Sequence, residues 1–191
     1  MEEEQTIIEE WERVKIPSPP EIEEITIKPR ETALLVLDMQ NQNCNEDRRP
    51  RCIKTLFAIQ MLIEKSRKSG IPVIFSLTSA ASKADMRREI LPKREETIVK
   101  ASVDKFYQTN LEEILKENKI KTVIIVGTSA NGAILHTATG AAVRKLEVII
   151  PVDGISATYP YEEQYTTWHL VNAPGTRRNV VLTKAHMVNF I

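Results

Sequence analysis

A doubly wound, Rossmann-like α/β domain is the predicted fold, with a parallel sheet of about six strands flanked by helices, and three observations predict it. Short runs that are apolar on both faces recur along the chain, as strands covered on both sides do. Segments of helical hydrophobic spacing alternate with those runs, which is the signature of a layered α/β domain. The length of 191 residues suits one such domain with a short appendage.

The elements follow in order. Residues 1–30 are rich in Glu and carry Pro17, Pro19, Pro20 and Pro29, and Ile7, Ile8 and Trp11 fall at helical spacing. This stretch reads as an N-terminal arm holding a short amphipathic helix, either packed on the body or reaching a partner subunit. Residues 31–191 form the domain. Ala33 to Leu37 is an apolar strand ending at Asp38, and Ile53 to Ser69 is a helix that Gly70 terminates. Ile71 to Leu77 is the second strand. The polar stretch from Ser79 to Lys93 holds at most one short helix, around Ala84 to Ile90. Thr97 to Val99 is a strand, Asn110 to Asn118 a helix, and Thr122 to Val126 a fully apolar strand. Asn131 to Lys145 reads as a helix of mostly small residues, with Asn131 suited to its N-cap. Val148 to Val152, a helix over Glu162 to Val171, and Val180 to Thr183 complete the set.

Composition excludes several function classes. Lys+Arg and Asp+Glu balance at 26 each, without the basic excess of a general nucleic-acid binder. Near-zero net charge also removes one barrier to self-association. No apolar run approaches a membrane span, and Glu2, Glu3 and Glu4 are the opposite of a signal peptide's basic start. Cys44 and Cys52 are too few for a disulfide scaffold and lack metal-ligand spacing, so a reduced, cytoplasmic setting is the simpler reading. His136, His169 and His186 are far apart and form no ligand pattern, so neither metal nor cofactor is expected. His136 reads as packed or pocket-lining.

In doubly wound sheets, ligands bind at the carboxyl ends of the strands beside the topological switch point. That rule selects Asp38, Lys100 and the turn Gly127-Thr128-Ser129-Ala130, each just after an apolar run.

At these residues the chain resembles the isochorismatase-like hydrolases, a superfamily of isochorismatases, nicotinamidases, N-carbamoylsarcosine amidases and ureidoacrylate amidohydrolases. Four markers carry the resemblance, over about residues 30 to 185. Ala33-Leu34-Leu35-Val36-Leu37-Asp38-Met39-Gln40-Asn41 is similar to the family's strand and DMQN signature. Lys100 is followed by Phe106-Tyr107-Gln108-Thr109-Asn110-Leu111, similar to the family lysine and its Phe-x-x-Thr-x-Leu. Gly127-Thr128-Ser129-Ala130-Asn131-Gly132-Ala133-Ile134 is similar to the glycine turn and the helix that starts with the nucleophile. Val152-Asp153-Gly154-Ile155-Ser156-Ala157 is similar to the turn after the fifth strand.

The resemblance implies a homodimer or homotetramer, and it implies roles for the site residues. Asp38 would be the acid/base and Lys100 the cation within about 4 Å of it, close enough to couple strongly. Ala133 stands where amide-hydrolysing relatives carry cysteine, and alanine cannot attack anything. Losing a nucleophile from a concerted constellation costs on the order of 10⁶-fold, so a covalent cysteine mechanism there is excluded. Three readings follow: a hydrolase of a small molecule using acid/base chemistry and water, a binding module that lost its chemistry, or an amidohydrolase whose nucleophile was replaced. Ser129, Ala130 and Asn131 would line an anion pocket with backbone N–H groups, and a non-proline cis bond is expected between Thr128 and Ser129. Gln40 and Phe106 are further candidates for substrate contact. Gln40 and Asn41 read more simply as hydrogen bonding around the Asp38 loop, and the Phe106-Tyr107 pair as core. Cys44, in the loop leaving the first strand, reads as a half-buried loop cysteine. Arg87 and Arg88 are candidates for holding a carboxylate, against a solvated surface role.

Overall fold

The computed structural model describes residues 6–191. Nine strands run in chain order: β1 Ile25–Ile27, β2 Thr32–Leu37, β3 Val73–Leu77, β4 Thr97–Lys100, β5 Thr122–Thr128, β6 Glu147–Pro151, β7 Ile155–Ser156, β8 Val180–Thr183 and β9 Val188–Phe190. Four α-helices lie among them: α1 Pro50–Lys68, α2 Leu111–Glu117, α3 Leu135–Val143 and α4 Pro160–Asn172.

The main sheet has seven strands, all paired in parallel, in the order β4-β3-β2-β5-β6-β8 with β7 beside the end of β5. The chain winds outward from β2 through β3 to β4, then returns to β5 and winds the other way. The switch point therefore lies between β2 and β5, whose register sets Leu37 opposite Gly127. The seventh strand, β7, is two residues long and follows a single turn at Val152–Gly154, too short for a hydrophobic pattern to announce it.

Every residue of β2 and β3 is buried, as both-sided covering requires. Side chains alternate across the strand, so Leu34 and Val36 join a core with Ile59, Leu62 and Phe75 beneath α1. Leu35 and Leu37 face the opposite core with Leu111, Ile134 and Leu170 from the α2, α3 and α4 side.

The structure revises several expectations. The apolar residues of the arm do not make an amphipathic helix on the body; Trp11–Arg13 is one 3₁₀ turn, and Ile7, Ile8 and Trp11 are exposed. The first five residues of the arm lie outside the described ones. Residues 25–27 already belong to the body, through the parallel pair of β1 with β9. The stretch from Ser79 to Lys93 folds as two 3₁₀ turns, Lys83–Asp85 and Arg88–Ile90. The helix expected from Asn131 is a π-helical turn, Ala130–Ile134, running into α3. Cys44 and Cys52 are a buried disulfide pair, with Cα atoms 5.3 Å apart, so Cys44 is not a free loop thiol. That bridge ties the loop after Asp38 to the first turn of α1. No described helix is long and apolar enough to cross a membrane.

Candidate active site

Asp38 leaves the end of β2 with φ of 52°, a left-handed conformation that aspartate tolerates better than most residues. Its backbone N–H is held by Ser76 of β3, whose hydroxyl also donates to Oδ1 at 2.7 Å. The other oxygen, Oδ2, accepts from Lys105 Nζ at 2.7 Å. Lys105 is fully buried, and its ammonium also donates to the carbonyls of Ala101 (3.3 Å) and Ser102, so all three N–H bonds are used. Burial raises the Asp38 pKa above the ordinary carboxylate range, against the opposing pull of Lys105, Ser76 and Arg49. A group so placed holds a proton more readily than a surface aspartate, which suits proton donation.

The partner of Asp38 is therefore Lys105, and Lys100 is not. Lys100 is the last residue of β4, at the sheet edge, where Val99 turns inward and Lys100 outward to solvent. The loop after it folds back over the strand ends, and Lys105 N–H donates to Thr137 Oγ1 of α3 at 3.2 Å. This fold-back carries the lysine to the carboxylate.

The other wall comes from β5. Gly127 has φ of 124°, and a Cβ there would sit 2.1 Å from the Leu37 carbonyl oxygen, so only glycine lets β5 approach the residue before Asp38 this closely. The Thr128–Ser129 peptide is cis, and Thr128 Oγ1 donates to the Ser156 carbonyl at 3.0 Å, tying the turn to β7. The π-helical turn starts at once, burying Ala130 and Ala133 beside the core that holds Leu37. Ser129 Oγ donates to Asn131 Oδ1 at 2.9 Å, and Asn131 Nδ2 to Glu162 of α4 at 2.9 Å. Asn131 thus bridges to α4 rather than capping its own helix.

The rim is completed from α1 and α4. Arg51 forms a two-point ion pair with Glu163 that holds their N-terminal turns together. Arg49, the residue before α1, is partly buried, and the charges of Asp38 and Glu162 act on it. Its Nη1 donates to the Asn43 carbonyl at 3.3 Å, while its buried Nε has no partner among the described residues. Burial pulls its pKa below the usual guanidinium value. Nothing in the hydrophobic pattern singles out Arg49; the run Arg48-Arg49-Pro50-Arg51 was its only signal.

Other candidates fall elsewhere. Gln40 is buried, with its carboxamide oriented to accept from Thr78 N–H and donate to the Asp38 carbonyl, both at 2.7 Å; it braces the loop. Phe106 is a core residue on the α3 side, under the Arg144 guanidinium 4.4 Å from its ring, and does not reach the Asp38 site. Arg87 is paired with Glu89, and Arg88 and His136 are exposed. A groove of about 810 Å³ lies at the opposite end of the sheet, where neither Asp38, Lys105 nor Ala133 lines it.

The isochorismatase domain family matches residues 32–185, a span that runs from the first residue of β2 past the end of β8. The chain belongs to the isochorismatase family. A secreted isochorismatase effector of Verticillium dahliae is 26% identical over 149 residues, covering 68% of this chain and 75% of that protein. The uncharacterized isochorismatase family protein YaaI of Bacillus subtilis is 26% identical over 161 residues, 73% of this chain and 88% of its own length. Among solved structures, N-carbamoylsarcosine amidase from Thermoplasma acidophilum shares the fold with a TM-score of 0.69. It is 24% identical, over 81% of this chain and 96% of that one. Isochorismatase-family membership points to a hydrolase of that superfamily.

Proposed function

We propose that this chain hydrolyses a small molecule by acid/base catalysis, with Asp38 as the proton-transferring group and no covalent intermediate at residue 133. The buried Asp38–Lys105 pair supports this reading, because it sets a carboxyl group and a lysine in contact, away from solvent, at the switch point. Lys105 fixes the carboxyl and offsets charge that develops as a proton leaves it. In a vinyl ether, Asp38 would protonate the double-bond carbon, and water would add to the resulting cation, giving its proton back to the Asp38 carboxylate. The adduct then collapses to a carbonyl compound and an alcohol. Ala133, at the position where amide-hydrolysing relatives carry cysteine, supplies no nucleophile.

The substrate class is read from Arg49. A partly buried guanidinium with a free Nε beside the reacting carboxyl suits a substrate bearing a carboxylate or similar anion. The backbone of Ser129 to Ala133 would receive negative charge at the reacting end. A second reading, a binding module on the same site, is favoured by Ala133 itself.

The test is a screen of anionic vinyl ethers, amides and ureides for turnover and for binding. Hydrolysis of one of them supports the enzyme. Saturable binding with no turnover across the set assigns the chain to the binding module and removes the catalytic reading.

A further inference from the structure

From Thr6 to Ile22 the arm makes no hydrogen bond to the body among the described residues. Ile7, Ile8, Trp11, Val14, Ile16 and Ile22 are 40–70% exposed. Its shape is set from within: Glu10 N–H donates to the Thr6 carbonyl (3.2 Å) and Arg13 N–H to the Glu10 carbonyl (2.8 Å). Among the described residues its first hydrogen bond to the body is Glu23 N–H to the Leu182 carbonyl, at 2.9 Å. Six large apolar side chains in sixteen residues, displayed to water on an ordered segment, mark an interaction surface.

Charge indicates what it meets. Residues 1–24 hold nine of the 26 acidic residues and two of the 26 basic ones, leaving this segment at −7 and residues 25–191 at +7. The net charge of zero thus conceals an acidic arm on a basic body. One concavity on that body has matching chemistry. The 810 Å³ groove at the strand N-terminal ends has Phe106, Leu115, Ile120 and Ile149 in its floor. Lys28, Lys116, Lys121, Arg144 and Lys145 stand on its rim against three glutamates. Lys121 pairs with Glu31, and Lys116 and Arg144 share Glu112, which leaves Lys28 and Lys145 without an ion-pair partner among the described residues.

We propose that the arm of one copy docks in this groove of a second copy, and that the second copy returns the contact. The root of the arm, Ile25 to Ile27, itself lines the groove. An arm leaving one groove therefore starts where a partner's arm arrives, and a two-fold axis closes the exchange with both surfaces used once. Sixteen residues from Ile7 to Ile22 span up to about 50 Å when extended, ample for the crossing. In this structure none of residues 6–22 lines the arm's own groove. The proposal is independent of the reaction assigned to Asp38.

The experiment uses the full chain, whose two native cysteines are already paired. Trp11→Cys and Lys116→Cys proteins are made separately, mixed, and oxidised mildly, and each is also oxidised alone. A covalent two-chain species in the mixture, at least tenfold more abundant than in either protein alone, is the expected result. In parallel, deletion of residues 1–22 should halve the particle mass measured by light scattering. A Trp11→Cys/Lys116→Cys double variant that closes within one chain would overturn the proposal in favour of self-docking. Absence of any cross-link together with unchanged mass after deletion would overturn it outright.

Discussion

Replacing Lys105 by Met removes the cation from Asp38 while keeping the length of the side chain. The pair is 2.7 Å apart, with side chains 1% and 8% exposed, so solvent cannot take over the role of the lost partner. Breaking a buried pair by removing one member costs about 3–5 kcal/mol. For a chain of this size each kcal/mol shifts Tm by roughly 2–4 °C, so Lys105→Met should melt about 6–20 °C lower at neutral pH. Lys100→Met, at an exposed strand end, should stay within about 0.5 kcal/mol. Asp38→Asn alone also leaves a buried charge without its partner, whereas the double variant Asp38→Asn/Lys105→Met leaves none. The double variant should therefore lose far less than the two single losses combined. The pH dependence has a definite sign. The folded pKa of Asp38 is raised above its unfolded value, and losing Lys105 raises it further. Its favourable contribution is complete below the unfolded pKa and is lost as pH rises through the folded one. The deficit of Lys105→Met should shrink as pH is lowered and widen towards neutrality. Thermal unfolding of the four variants across pH measures all of this. Additive losses, or a Lys100→Met deficit equal to that of Lys105→Met, would refute the reasoning.

Two further predictions rest on the same loops. Ala133→Cys should give a thiol alkylated by iodoacetamide near neutral pH faster than an unperturbed cysteine, because the turn opening α3 favours thiolate, at an overpacking cost of about 1–3 kcal/mol. With both native cysteines bridged, labelling of that variant reads this thiol alone, and a rate like that of a buried inert cysteine would contradict the expectation. Reducing the Cys44–Cys52 bridge, eight residues apart in sequence, should cost about 2.5 kcal/mol by loop entropy. Tm in the presence of a reductant should fall by roughly 5–10 °C, and an unchanged Tm would show that the bridge does not support the Asp38 loop.

The alternation of apolar runs with helical periods made the parallel sheet legible, and the strand-end rule found Asp38 and the turn after β5 without any relative. Lys105 escaped because that rule looks one residue past a strand, whereas the lysine that pairs with Asp38 sits five residues past Lys100 on a loop that doubles back. Its signal was adjacency to Phe106, the first residue of the motif already recognised. Phe106, packed against Arg144, lies towards the opposite end of the sheet, which local spacing does not distinguish from the site end. The disulfide was read as absent because two cysteines are few; what brings them together is the sharp turn from the Asp38 loop into α1. Arg49 became visible only when tertiary structure left its Nε buried and unpartnered. In the arm, apolar spacing was taken for a helix, but a helix forms from such spacing only when it has a face to bury.

The most direct test of the central claim is kcat of Asp38→Asn beside wild type, on whichever compound the screen shows to be hydrolysed. General acid/base catalysis contributes about 10²–10⁴-fold, so turnover should fall by that factor while the Lys100→Met control keeps its rate within about twofold, since Lys100 faces solvent. An Asp38→Asn protein that turns over at the wild-type rate would contradict the assignment of Asp38 as the proton-transferring group.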